Sequence, residues 1–225
     1  MCGRVVQEWP SHVVATLFDA VDLARTPGGR YNVAPTQSLL AVVEHGEQRV
    51  LTTHRWGLVP TWAKDARIGQ KMINARAETI QEKPSFRTVF RRQRSIVPVS
   101  AFYEWQRQGE SKVPHAVVRR DGQPLALAAI WSTWRDPERE EMLTTGAIVT
   151  TSANELMAPL HDRMPVVLGE ADWARWLDPT EQDPAALAEM LKPCPDDWLV
   201  AYPVSRLVNN VRNDDSSLVA PLKAA

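Results

Sequence analysis

The residue of this chain best equipped for covalent chemistry is its second. Cys2 follows Met1 directly, and methionine aminopeptidases remove an initiator Met that precedes a residue as small as cysteine. The mature chain would then open on a 1,2-aminothiol, with an α-amine of pKa near ~8 beside a thiol near ~8.5. Both groups reach reactive forms near neutral pH with modest help. Two uses are open. The thiolate can attack an acyl carbon with the amine as its own base, the pattern of N-terminal-nucleophile amidases. Alternatively, the amine can form an imine with an aldehyde, and the thiol can close onto it as a five-membered thiazolidine. A third reading gives Cys2 no chemistry and makes it the start of a strand. The other cysteine, Cys194, lies between two prolines and suggests no role. Two cysteines argue against a disulfide framework or a multi-cysteine zinc site.

A chain of 225 residues, 44% hydrophobic and 24% charged, has the composition of an ordinary globular protein. Fibrous, collagen-like and globally disordered classes are thereby excluded. No run approaches the ~20 apolar residues of a membrane-spanning helix. The start MCGRVVQEWP lacks a basic stretch followed by an apolar core, so a cytoplasmic protein is expected. Apolar or alternating runs recur at Leu39–Val43, Val50–Leu58, Ser95–Trp105, Val113–Val118, Leu125–Trp131 and Met142–Thr151. Turn chemistry at His45-Gly46-Glu47, Arg107-Gln108-Gly109 and Asp121-Gly122 favours antiparallel hairpins between them. Helical signals are fewer. Ser11 is placed to cap a helix through Phe18, and Asp183-Pro184 reads as cap and first turn, with Leu187, Met190 and Leu191 on one face. Trp173, Trp176 and Leu177 share that spacing and read as core. The expectation is one β-rich α+β domain over 1–225, mainly antiparallel strands with a few peripheral helices.

The net charge of −1 hides an asymmetry. From Arg55 to Arg94 ten Lys/Arg stand against three Asp/Glu, whereas from Asp136 to Asp215 sixteen acids stand against six bases. Solvated surface explains most such runs, but an acidic half can also mask a basic binding stripe.

Seven ordered segments narrow the choice. They are Met1-Cys2-Gly3-Arg4, Tyr31–Gln37, Arg55–Trp62, Asn74–Thr79, Pro98–Trp105, Thr150–Asn154 and His161–Pro165. Together they closely resemble the SOS response-associated peptidase (SRAP) family, from residue 2 to about 215, in its bacterial form. The resemblance implies a β-rich fold and a protein that shields abasic sites in single-stranded DNA through a covalent thiazolidine on Cys2. It implies no metal, no cofactor and a monomer, associated with the nucleoid when bound to DNA. An autopeptidase activity exposing Cys2 belongs to the same expectation.

By that resemblance Cys2 is the attacking residue, Glu104 the general acid/base and His161 the donor to the sugar oxygen. Flanking aromatics suggest partial burial of Glu104, which would raise its pKa and suit proton shuttling. Asn74 cannot titrate and suits orienting the α-amine or thiol. Gly3 would let the backbone approach the sugar closely. Arg4, Arg76 and Arg163 are candidates for phosphate through their guanidinium forks, with Asn32 also assigned to DNA binding. Pro35, Trp62 and Phe86 could offer apolar surface to unstacked bases, and Arg87, Arg91, Arg92 and Arg94 could extend the track. Surface ion pairs are the ordinary alternative for any one arginine.

Two rivals come from other classes. Glutamine amidotransferases also begin Met-Cys-Gly, and a glutaminase assay separates them from the reading above. A non-covalent single-strand binder would retain no DNA on a denaturing gel.

Overall fold

The computed structural model describes residues 2–46, 48–138 and 140–222. Met1, whose removal would expose Cys2, and Glu47 of the expected turn lie outside the described residues. Along the chain run β1 (Val5–Gln7), α1 (Ser11–Leu17), β2 (Ala20–Asp22), β3 (Arg30–Val33), β4 (Ser38–His45), β5 (Gln48–Trp56) and β6 (Asn74–Arg76). There follow α2 (Arg87–Arg92), β7 (Arg94–Val99), β8 (Ala101–Gln108), β9 (Ser111–Arg119), β10 (Leu125–Arg135) and β11 (Met142–Ser152). The last are β12 (Arg163–Pro165), α3 (Glu170–Leu177), α4 (Pro184–Ala188) and β13 (Leu199–Pro203), with short 3-10 turns between several elements.

Hairpin chemistry builds most of the ladders. β4 and β5 pair antiparallel from Ser38–Arg55 to His45–Gln48, as do β8 with β9 and β10 with β11. β7 joins β4 to β10, and a short parallel pairing of Thr145 with Arg55 and Gly146 with Trp56 returns β11 to β5. The strands β5, β4, β7, β10 and β11 therefore close into a small barrel, which leaves β2, β6 and β12 attached at its margins. A second sheet has the order β13-β9-β8-β1-β3. The β-rich α+β class expected from the sequence is the one observed.

Barrel strands are covered on both faces, which is why they read as nearly continuous apolar runs. Ile96, Ala126, Ala128, Ile130, Ala147 and Val149 pack outward against Val14, Phe18, Phe90, Trp173 and Trp176 of the helical layer. Their strand neighbours Val97, Val99, Leu125, Leu127, Ala129 and Ile148 pack the other way, against Val5 and Phe102 of the second sheet. Cys2 lies in that inner cluster. Trp173, Trp176 and Leu177 are buried on α3, and Asp183 caps α4 by accepting from Ala185 N at 3.0 Å, both as expected.

Four expectations need correction. The Asp121-Gly122 turn joins β9 to β10 without pairing them, because it carries the chain from the second sheet to the barrel: β9 pairs with β8 and β13, and β10 with β7 and β11. Ser95–Trp105 is two strands, because the chain leaves the barrel at Ser100, whose N–H donates to Val6 O at 2.9 Å, and enters the second sheet. Apolar periodicity runs on through such a corner unchanged. Ser11 is the first residue of α1 and does not cap it. Its hydroxyl donates to Asp22 at 2.6 Å and accepts from Thr26 N at 2.8 Å, tying α1 to the β2 loop. Arg94 does not extend a surface track. It is 3% exposed, and its guanidinium donates to the carbonyls of Phe90, Arg91, Trp176, Asp178 and Glu181. A buried guanidinium thus satisfies the open ends of α2 and α3, where unpaired carbonyls and the helix dipole both favour a cation.

Candidate functional site

Strand pairing sets the reactive end. Val5 pairs with Phe102 and Val6 with Ala101, and Tyr103 N donates to Arg4 O at 3.0 Å. One further step along this antiparallel ladder places Glu104 beside Gly3 and Cys2. Cys2 is fully buried and Glu104 is 2% exposed. Desolvation, and after it the charge of Glu104, push the Cys2 thiol well above its usual range. The thiol is therefore protonated at neutral pH in this arrangement, and reaction at sulfur requires a base. Asn74 reaches the same point from β6, its side-chain amide donating to Cys2 O at 2.8 Å. It holds the backbone of Cys2 where the sequence suggested the amine or thiol.

Asn74 is positioned by three constraints. β6 pairs parallel with Ile148–Thr150 of β11, and the Trp56 indole donates to Ile73 O at 2.9 Å. Upstream, the chain turns sharply at Gly57, whose φ is +119°, and passes backbone-to-backbone against Gly69. A Cβ on either glycine would stand 2.5 Å from the other's carbonyl oxygen, so neither position admits a side chain.

His161 lies on the loop between β11 and β12, whose Ala153, Leu156 and Leu160 pack on the cluster that buries Cys2. The loop is also held to β8 by Gln106, which donates to Pro159 O at 3.4 Å. The His161 Nδ1 accepts from Arg163 N at 2.9 Å. With Nδ1 accepting there, a neutral ring carries its proton on Nε2. Nδ1 also lies 2.7 Å from the exposed Asp162 carboxylate. Cys2, Asn74 and Glu104 thus come from three separate segments to one point, and His161 stands on a loop packed against the same cluster.

A groove of about 390 Å³ opens beside Asn74, bordered by Lys71, Arg76, Lys83 and Phe86. Arg76 is exposed, and its guanidinium makes no hydrogen bond or ion pair among the described residues. Phe86 is 9% exposed, so it offers an edge to the groove and its bulk to the core. Trp62 is 59% exposed on the loop after Gly57 and belongs to no core cluster. Pro35 is half-buried. Arg87, Arg91 and Arg92 border a second surface cavity of about 550 Å³ on α2, where Arg92 donates to Gln182.

The remaining DNA-binding candidates are engaged within the protein. Arg163 donates bidentately to Glu78 at 2.7 and 2.9 Å and to Thr150 O at 2.7 Å. Arg4 donates to Asn32 Oδ1 at 2.6 Å and Val208 O at 2.8 Å, with its guanidinium over the Trp105 ring. The amide of buried Asn32 donates to Val208, Asn210 and Asn213 carbonyls, so this pair fastens the C-terminal segment.

Three contributors escaped the sequence reading. Lys71 and Lys83 fell inside the basic interval but in no motif that gave them a role. Glu78 was visible within Asn74–Thr79, but only the fold brings it to Arg163, 85 residues away. Among the described residues no group of three His, Cys, Asp or Glu is placed to hold a metal ion. Burial pushes the Cys194 thiol up to about 12, in keeping with an inert core cysteine.

A protein from Bacillus subtilis, abasic site processing protein YoaM, is 42% identical over 97% of this chain and 97% of its own length. The B. subtilis protein YoqW is 44% identical over 84% of each chain, and YedK of Escherichia coli 33% identical over 99% of this chain and all of its own. A crystal structure of a Bacteroides thetaiotaomicron protein superposes with a TM-score of 0.90 at 26% identity, covering 98% of this chain and 100% of that one. Residues 1–211 match the family described as SOS response associated peptidase (SRAP). The ordered motifs, the shared fold and these identities lead to one assignment: the chain belongs to the SRAP family.

Proposed function

We propose that this protein processes abasic sites in single-stranded DNA by capturing them covalently on Cys2. The relatives named above are called abasic site processing proteins. The observation that carries the reading is the convergence of Cys2, Asn74 and Glu104 beside a groove bordered by Lys71, Arg76 and Lys83, with His161 on a loop packed against the cluster that buries Cys2. A ring-opened abasic deoxyribose presents an aldehyde, and the adjoining phosphates suit a cationic groove. Trp62 and the edge of Phe86 supply surface for unstacked neighbouring bases.

Once Met1 is removed, by an aminopeptidase or by the protein's own site, the α-amine of Cys2 attacks the aldehyde carbon. A carbon–nitrogen bond forms, the amine proton passes to the Glu104 carboxylate, and the carbonyl oxygen takes a proton from His161 Nε2. Protonated Glu104 then gives its proton to the departing hydroxyl, the nitrogen returns its remaining proton to His161, and water leaves a neutral imine. Glu104 next accepts the Cys2 thiol proton, sulfur bonds to the imine carbon, and the proton moves to nitrogen. The balance is aldehyde plus aminothiol giving thiazolidine plus one water, with no oxidation or reduction. Loss of the carbonyl removes the group that drives β-elimination at the lesion. Asn74 holds the Cys2 backbone so that both nucleophiles face one carbon.

The test is the intact mass of the protein after incubation with an abasic single-stranded oligonucleotide. The expected product is the sum of the two masses less one water, stable to heating without reductant and absent with undamaged DNA. No adduct from protein confirmed to lack Met1 overturns the proposal.

A further inference from the structure

The Glu78 carboxylate fills the guanidinium fork of Arg163. The residue lies in the turn just after β6, and its carboxylate meets the Arg163 guanidinium at 2.7 and 2.9 Å in a two-point fork. Arg163 is deeply set, with 14% of its side chain exposed, and is tied from behind to Thr150 O. Glu78 is 51% exposed. The two arginines of this region flank one strand: Thr150 of β11 pairs with Arg76 of β6 on one side, and Ser152 with Arg163 of β12 on the other. Arg163 and, more weakly, Arg76 hold the Glu78 carboxyl below its usual range, so it is ionised under ordinary conditions. Carboxylate and phosphodiester present the same pair of oxygens to a guanidinium fork.

We propose that Glu78 is an internal phosphate mimic that gates Arg163, so that a DNA strand gains this arginine only by displacing Glu78 into solvent. The inference rests on the functional reading above and adds a residue that sets selectivity within it. An anchored guanidinium keeps its orientation when its exposed partner swings away, and a half-exposed carboxylate is readily hydrated. The exchange cancels part of the attraction between Arg163 and any strand. Undamaged DNA is therefore bound weakly, and retention falls to strands also held at the reactive end.

The test is a double-mutant cycle on affinity for a labelled, undamaged oligothymidylate, which cannot crosslink, measured by fluorescence anisotropy in low salt. Glu78→Gln is expected to tighten binding roughly three- to fivefold, the range of a partly exposed ion pair. In an Arg163→Gln background the same substitution is expected to leave affinity within about twofold of that background, because the gated group is gone. Glu78→Ala should repeat the result, and melting curves confirm that each variant folds.

Equal tightening in both backgrounds would make Glu78 a general repulsive charge and overturn the gate. Weaker or unchanged binding by Glu78→Gln would overturn it too, leaving Glu78 a support for Arg163. If the wild-type protein bound no single-stranded DNA and formed no abasic adduct, the functional reading itself would fail. A wild-type protein that crosslinks normally but shows no cycle confines the failure to the gate.

Discussion

The Asn74 side-chain amide donates to the main-chain oxygen of Cys2 at 2.8 Å, across 72 residues of sequence. Cys2 precedes β1, and this bond, burial and a backbone hydrogen bond from Arg4 to its thiol fix where its nucleophiles point. Asn74→Ala should slow capture of an abasic strand about three- to tenfold, the worth of one such bond. Single-turnover gels measure the rate, and anisotropy should show nearly unchanged affinity for undamaged strand.

Burial and, after it, the charge of Glu104 raise the Cys2 thiol, and Glu104 is also the base proposed for it, so one substitution should move two rates in opposite directions. Glu104→Gln should slow crosslinking by about 10²–10⁴-fold through lost proton transfer. Alkylation of Cys2 by iodoacetamide should meanwhile quicken, because one cause of the raised thiol has been removed. Slower alkylation in Glu104→Gln would contradict the assigned proximity.

His54 is 3% exposed beside Trp131, and burial lowers its pKa to about 4 from 6.5. The unfolded chain therefore takes up this proton first as pH falls. Stability linked to His54 is full above pH 6.5 and declines through the window down to about 4, by about 3 kcal/mol at the acid end. Denaturant melts of His54→Gln should show a shallower loss across that window than wild type, whatever its stability at pH 7.

Arg94→Met should remove the guanidinium donor from the carbonyls of Phe90, Arg91, Trp176 and Asp178 at the ends of α2 and α3 and from Glu181 O in the loop beyond. The expected cost is about 3 kcal/mol or more, measured by denaturant unfolding, and Arg94→Lys cannot restore the fork. Affinity of the folded variant for single-stranded DNA should be unchanged. A selective loss of affinity without destabilisation would return Arg94 to the surface track.

Trp62 is 59% exposed and outside every core cluster. Trp62→Ala should leave stability within about 0.5 kcal/mol of wild type. Binding to single strands should weaken by about 1–3 kcal/mol if a base stacks there, with little change for intact duplex. Anisotropy against both substrates decides the point.

Local chemistry in the sequence determined the β-rich class, the β4–β5 and β8–β9 hairpins, the Asp183 cap and the buried face of α3, whereas the turn at Asp121-Gly122 passes between two sheets and makes no hairpin. These depend on turn residues and on periodicity, which act over a few positions. The ordered motifs likewise brought forward Cys2, Asn74, Glu104 and His161. Tertiary structure decided what depends on partners far along the chain. Ser95–Trp105 became two strands because Ser100 bonds to Val6 at a corner between sheets. Arg94, Arg76 and Arg163 are alike in sequence, yet one satisfies helix ends, one faces solvent and one grips Glu78. An arginine's role is set by which acceptors lie within reach of its long side chain, and those acceptors come from segments that only folding brings together.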